Sequence, residues 1–174
     1  MDIKKRIKLF VIITLSTLFM HSCVMDRVYY YKLKNNADYS VTVLQLYKSQ
    51  LQELEYKYPD TTLPQQGEFY PWNIADTDRY AKAWEESKKL ETIMEREGID
   101  TICIFVFKTE DLHFYDWDSI RSHYHILQRY DLSTTDVGSF YDVLCFPPSK
   151  AMKHIHMWPP YGTYDENGNC RTIK

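Results

Sequence analysis

The run Ile102-Cys103-Ile104-Phe105-Val106-Phe107 constrains the fold more than any other stretch of this chain. Successive strand residues point to opposite faces, so an uninterrupted apolar run puts apolar side chains on both. Such a strand must be covered on both sides, unlike the half-exposed strand that alternates apolar and polar residues. The sequence therefore predicts a central strand from Ile99 to Phe107 inside a layered domain.

The other segments are read around that strand. Val28–Leu33 and Tyr39–Tyr47 are rich in β-branched and aromatic residues and flank the turn cluster Asn35-Asn36-Ala37-Asp38, which predicts a hairpin over 28–47. Its second strand puts Val41, Val43 and Gln45 on one face and Thr42, Leu44 and Leu46 on the other. Residues 48–68 read as loop, with a turn of helix around 50–55, and Phe69–Ile74 as a short edge strand where Pro71 is tolerated. A helix is expected over 78–97, capped by Thr77 and stopped by Gly98. Its apolar stripe is Tyr80, Ala83, Trp84, Leu90, Ile93 and Met94, while Glu85, Glu86, Lys88, Lys89, Glu91, Glu95 and Arg96 face water. A short helix capped by Asp116 points Trp117, Ile120 and Tyr124 inward. A strand over 125–132 follows, and Ser133-Thr134-Thr135-Asp136 opens another short helix as a capping box. Tyr141–Phe146 is the last expected strand. The expectation is one α+β domain: a mostly antiparallel sheet, one longer helix and two short helices.

The amino terminus sets location. Lys4, Lys5, Arg6 and Lys8 precede an apolar stretch from Leu9 to Met20, the layout of a secretory signal and too short to span a bilayer. Cys23 directly after the small Ser22 resembles the lipobox of bacterial lipoproteins, in which the signal is cut before an acylated cysteine. Met20 and His21 stand where that family prefers Leu and a small residue; the alternative is an ordinary signal peptide with a chance cysteine. The resemblance implies a signal peptide over 1–22, lipidation (palmitate) at Cys23, an anchored tether over 23–27 and one domain over 28–174. Val24 occupies the place where Asp would retain a lipoprotein at the inner membrane, which favours the outer membrane of a Gram-negative bacterium. Only Asp26 remains of the acidic surface-export signal.

Removing residues 1–22 leaves 152 residues, enough for one sizeable core. The remaining 17 Lys+Arg against 23 Asp+Glu give a formal charge of −6, which offers no basic footprint for nucleic acid. With Cys23 lipidated, Cys103, Cys145 and Cys170 allow at most one internal disulfide. Cys103 and Cys145 sit in strand-like apolar contexts that suit buried thiols, with a Cys103–Cys145 bridge as the alternative.

Three constellations could carry chemistry. His123-x-His125 and His154-x-His156 have a spacing that, on a strand, presents two imidazoles to one metal; incidental surface histidines are the alternative. Asp116, Asp118 and Asp131 could serve glycoside chemistry, although Asp116 also reads as a cap and Asp131 as a partner of Arg129. Tyr58, Tyr70, Trp72, Trp158 and Tyr161 lie beside prolines in loops, where they form binding platforms or staple loops to the core. No serine-nucleophile motif, phosphate loop or dinucleotide fingerprint is present, and nothing calls for a cofactor.

Three segments carry a second resemblance: Tyr29–Asn36, Tyr124–Ser133 and Met152–Gly162, together with Tyr58-Pro59-Asp60-Thr61. They are similar to a group of small uncharacterised lipoproteins of Bacteroides-like bacteria; the stretch from Gln45 to Tyr56 is longer than that group leads one to expect. The resemblance implies an envelope protein and supplies no catalytic residue. The expected function is a membrane-anchored, non-enzymatic binding module for an unknown protein or glycan partner. The alternative is a periplasmic or surface enzyme, or a metal-dependent protein, acting on glycan or peptide.

Overall fold

The computed structural model describes residues 28–47, 63–64, 73–86, 88–139 and 144–171. The signal peptide, Cys23, the tether, the turn of helix expected at 50–55, Tyr58, Tyr70 and Trp72 lie outside the described residues. In chain order the strands are β1 (Tyr29–Asn35), β2 (Val41–Tyr47), β3 (Ile74–Ala75), β4 (Tyr80–Glu86), β5 (Thr101–Lys108), β6 (Gln128–Ser133), β7 (Cys145–Phe146) and β8 (His156–Trp158). The α-helices are α1 (Leu90–Glu97), α2 (Thr109–Phe114), α3 (Trp117–His123) and α4 (Thr134–Ser139), with a 3-10 turn at Lys150–Met152.

Strand β5 sits in the middle of a five-stranded sheet ordered β3-β2-β5-β6-β8 and pairs antiparallel with both neighbours. Every residue from Ile102 to Phe107 is buried, because both faces are covered. On one face Val41, Val43, Ile102, Ile104, Val106, Tyr130 and Leu132 pack against the second sheet, ordered β4-β1-β7, and against α1 and α4. On the other face Leu44, Cys103, Phe105 and Phe107 pack against Leu63 and against Ile120 and Tyr124 from α3 and its C-cap. The domain is thus a mostly antiparallel α+β fold in three layers. The β1–β7 pair is the parallel exception. No helix among the described residues is long and apolar enough to cross a membrane.

Several expectations are met in detail. Asp116 caps α3, accepting from the Ser119 amide at 2.8 Å. Ser133 and Asp136 form the reciprocal capping box that opens α4. Gly98 ends α1 with φ 66°, and Leu90, Ile93 and Met94 form its buried stripe.

The expected 78–97 helix is corrected to a strand, β4, followed by the shorter helix α1. Residues 80–86 pair antiparallel with β1 and bury Ala81 and Ala83 with period two. The alternating and helical periods overlap over so few residues, and the free edge of β1 decides between them, since tertiary context overrides weak propensity. The expected 28–47 hairpin is also corrected: β1 and β2 belong to different sheets. Buried Asn35 fixes the crossing, donating from its side-chain amide to the carbonyls of Tyr39 (2.7 Å) and Ala75 (3.0 Å) and accepting from the Ala37 amide. Helix α2 and edge strand β8 were not expected from the sequence. Among the described residues Cys103, Cys145 and Cys170 form no disulfide; Cys103 and Cys145 are buried and Cys170 is exposed. Cys103 and Cys145 belong to cores on opposite faces of the large sheet, so no bridge can join them.

Candidate functional site

Strands β1 and β7 run parallel and end together, with Lys34 opposite Cys145 and Asn35 opposite Phe146. One more hydrogen bond, Asn36 N to Phe146 O at 2.7 Å, continues the ladder before the chains diverge. Pro147 and Pro148 lead one chain away, and residues 161–171 return across the gap. A cleft of about 390 Å³ results, at the small end of ordinary ligand sites. Its apolar walls are Pro147, Pro148, Tyr161 and Tyr164; Asn36, Ser149, Asp165, Glu166 and Arg171 supply the polar ones.

The returning segment is held firmly. The Tyr39 hydroxyl donates to Gly168 O at 2.7 Å, Asp38 N donates to Asn167 O, and the Tyr164 ring meets Phe146 edge-on at 5.3 Å. The Tyr164 hydroxyl donates to Leu127 O, and burial pushes its pKa up to about 12, so it stays a protonated donor at neutral pH. Asp165 accepts from the amides of Asn169 and Asn167, both at 2.9 Å, and these bonds hold its carboxyl below the usual range. Asp165 therefore shapes the turn. Tyr161, Glu166 and Arg171 are exposed toward solvent.

Gly168 permits this wall. Its φ is +84°, and a Cβ there would lie 2.7 Å from Ala37 Cβ and 2.9 Å from the Tyr39 hydroxyl. Gly98 has a similar φ of +66° but open space around it. Both alanine replacements meet the left-handed penalty, and Gly168→Ala meets overpacking as well, so it should cost about 1–3 kcal/mol more than Gly98→Ala. Paired thermal melts of the two variants measure the difference; equal losses would show that the turn is not seated on Ala37 and Tyr39.

A second polar group crosses the large sheet on the α3 side. Register places Cys103 opposite Asp131 and Asp131 opposite His156, with Arg129 opposite Phe105 and Trp158. Arg129 Nε donates to Asp131 Oδ1 at 2.7 Å, its Nη2 reaches Cys103 Sγ at 3.5 Å, and its guanidinium lies 5.4 Å from the Phe105 ring centre. The Arg129 side chain is 0% exposed and that of Asp131 8%. His156 Nδ1 stands 3.4 Å from Asp131 Oδ2 at the exposed edge. This row brings together cysteine, histidine and aspartate without making a nucleophile pair. Asp131 separates thiol and imidazole by two strand spacings, about 9–10 Å, whereas a working base must stand about 2.6–3.2 Å from its proton donor.

The other expected residues fall as follows. Trp158, expected in a loop, ends strand β8 and packs on Tyr124 with ring centres 5.0 Å apart, against the core. Tyr161, by contrast, faces the cleft. His123 and His125 do come together, ring centres 5.5 Å apart, at the end of α3 rather than on a strand. His123 Nδ1 lies 2.9 Å from Ser119 O and 3.1 Å from Ser122 Oγ, so local contacts at the helix end already engage this nitrogen. His154 and His156 part company: His154 lies 3.6 Å from Asp136, and His156 beside Asp131. Among the described residues no group of three or more His, Cys, Asp or Glu is placed to hold a metal ion. Asp116 is occupied as a cap, its carboxyl held low by the Ser119 amide and hydroxyl, and Asp118 pairs with Arg121 at 3.5 Å. These three aspartates therefore serve a cap, a surface pair and a buried pair.

No known protein family matches the chain, and neither curated proteins nor solved structures show significant similarity to it.

Proposed function

We propose that the protein is a lipid-anchored, non-enzymatic binding module of a Gram-negative bacterial envelope, with the cleft beyond β1 and β7 as its ligand site. The cleft carries the reading. It joins the exposed Tyr161 ring and half-buried Pro148 to the polar side chains of Asn36, Glu166 and Arg171, and the hydrogen bonds of Tyr39 and Asp165 fix its walls. Such preorganisation suits binding. Asp165 and Asp116 are already committed, the one to the Asn167 and Asn169 amides of its turn and the other to the cap of α3. The basic start, the apolar run and the lipobox-like Ser22-Cys23 support the envelope, and Val24 after Cys23 favours the outer membrane. The membrane is thus one partner, reached through acylated Cys23, and the cleft ligand is the other.

Several acyl chains give stable attachment where one does not, at about 0.8 kcal/mol per buried CH₂. Cells grown with labelled palmitate should therefore yield labelled wild-type protein in the membrane fraction. Cys23→Ser should appear unlabelled, as an uncleaved precursor or a soluble form. Label retained on the variant would overturn the lipid anchor.

A further inference from the structure

Resting on that reading, we infer that the cleft takes a neutral saccharide. Three charged residues line the cleft: Asp165 is already committed to the Asn167 and Asn169 amides, while Glu166, a charged acceptor, and Arg171, a charged donor, are both exposed on the same rim. An anionic ligand meets Glu166 and a cationic one meets Arg171, each as a like charge. Hydroxyl groups both donate and accept, so a neutral polyol satisfies the two side chains at once, together with the amide of Asn36. The apolar walls complete the match. A pyranose ring has a C–H face that packs on aromatic and proline rings, and the exposed Tyr161 ring and Pro148 offer such surfaces.

Peptide recognition fits less well. An extended peptide is held mainly by backbone hydrogen bonds along a free strand edge. The turn that walls this cleft has already spent most of the backbone N–H groups it would offer: Thr163 N on Pro160 O, Asp165 N on Asn169 O, Gly168 N on Asp165 O, Arg171 N on Thr163 O, and the Asn167 and Asn169 amides on Asp165. Pro147 and Pro148 have no N–H to give. Recognition therefore falls mainly to ring faces and side chains, which is how sugars are held.

Ser149 gives an independent sign. Its Oγ is buried at the cleft with no hydrogen-bond partner among the described residues, a costly arrangement for a hydroxyl. The residue lines the cleft and is only half-buried, so a change of χ1 rotamer is the route by which its hydroxyl would reach a ligand there.

The test measures binding of the full-length protein in detergent micelles to immobilised neutral oligosaccharides of gluco, galacto, manno and xylo configuration. A library of extended peptides forms the second arm. At least one oligosaccharide should bind, and Tyr161→Ala should weaken it about tenfold, as loss of a central aromatic anchor does. Glu166→Gln should weaken it as well. Ser149→Ala should lower affinity while leaving the melting temperature unchanged or higher, which a purely structural serine would not do. Peptide binding abolished by Tyr161→Ala, with no oligosaccharide bound, would overturn the saccharide and leave the binding module standing. Absence of binding in both arms would overturn both.

Discussion

Phe105→Ala should lose about 3–5 kcal/mol of stability, a large share of the roughly 5–15 kcal/mol that holds a typical domain folded. Phe105 is fully buried in the middle strand of the middle layer. Its ring neighbours Phe107, with centres 6.5 Å apart, and lies under the Arg129 guanidinium at 5.4 Å. Truncation removes the transfer energy of the ring and leaves a cavity that close-packed neighbours on three strands cannot collapse into. Glu95→Ala on the exposed side of α1 is the matched control and should stay within about 0.5 kcal/mol. A single urea series on both variants reads the contrast. Similar midpoints would mean that 102–107 is not core.

Asp131→Ala should cost about as much, for a different reason. It leaves the guanidinium of Arg129, 0% exposed, without the carboxylate that now sits 2.7 Å from its Nε. Breaking one half of a buried ion pair typically costs about 3–5 kcal/mol, whereas replacing both halves by apolar residues is close to neutral. The double variant Arg129→Met with Asp131→Leu should therefore recover most of what Asp131→Ala loses, in the same urea series. If the double variant falls as far as the single one, the pair contributes more than charge compensation. If Asp131→Ala is mild, water already solvates the guanidinium.

The fold was legible wherever local signals were strong enough to stand alone. The 102–107 run has one solution in a folded chain, and the Asp116 cap and the Ser133–Asp136 box are written within four residues. Errors arose where two periods fit the same residues. Ala81 and Ala83 alternate as a strand, while Tyr80, Ala83 and Trp84 suit a helix, and only the pairing with β1 decides. Strands β1 and β2 look like a hairpin until buried Asn35 sends the chain from one sheet to the other. The short strand β8 carries no signal of its own; the free edge of β6 makes it.

The site was less legible than the fold. Tyr161 beside Pro160 marked one wall from sequence alone, and the link between Arg129 and Asp131 was foreseeable from their spacing on a strand. Asn36, Ser149 and Arg171 gave no hint, because they meet only through the parallel pairing of β1 with β7 and the return of 161–171. Gly168 was readable as a turn residue; that it makes room for Ala37 and Tyr39 was not.

The central claim is that ligand binding belongs to the cleft beyond β1 and β7. Hydrogen–deuterium exchange of the full-length protein in detergent, with and without the pooled neutral oligosaccharides, tests it most directly. Slowed exchange confined to peptides covering 144–149 and 161–171, with β5 unchanged, is the predicted result. Exchange unaltered there, or slowed instead around His123 and His125 at the end of α3, would contradict it.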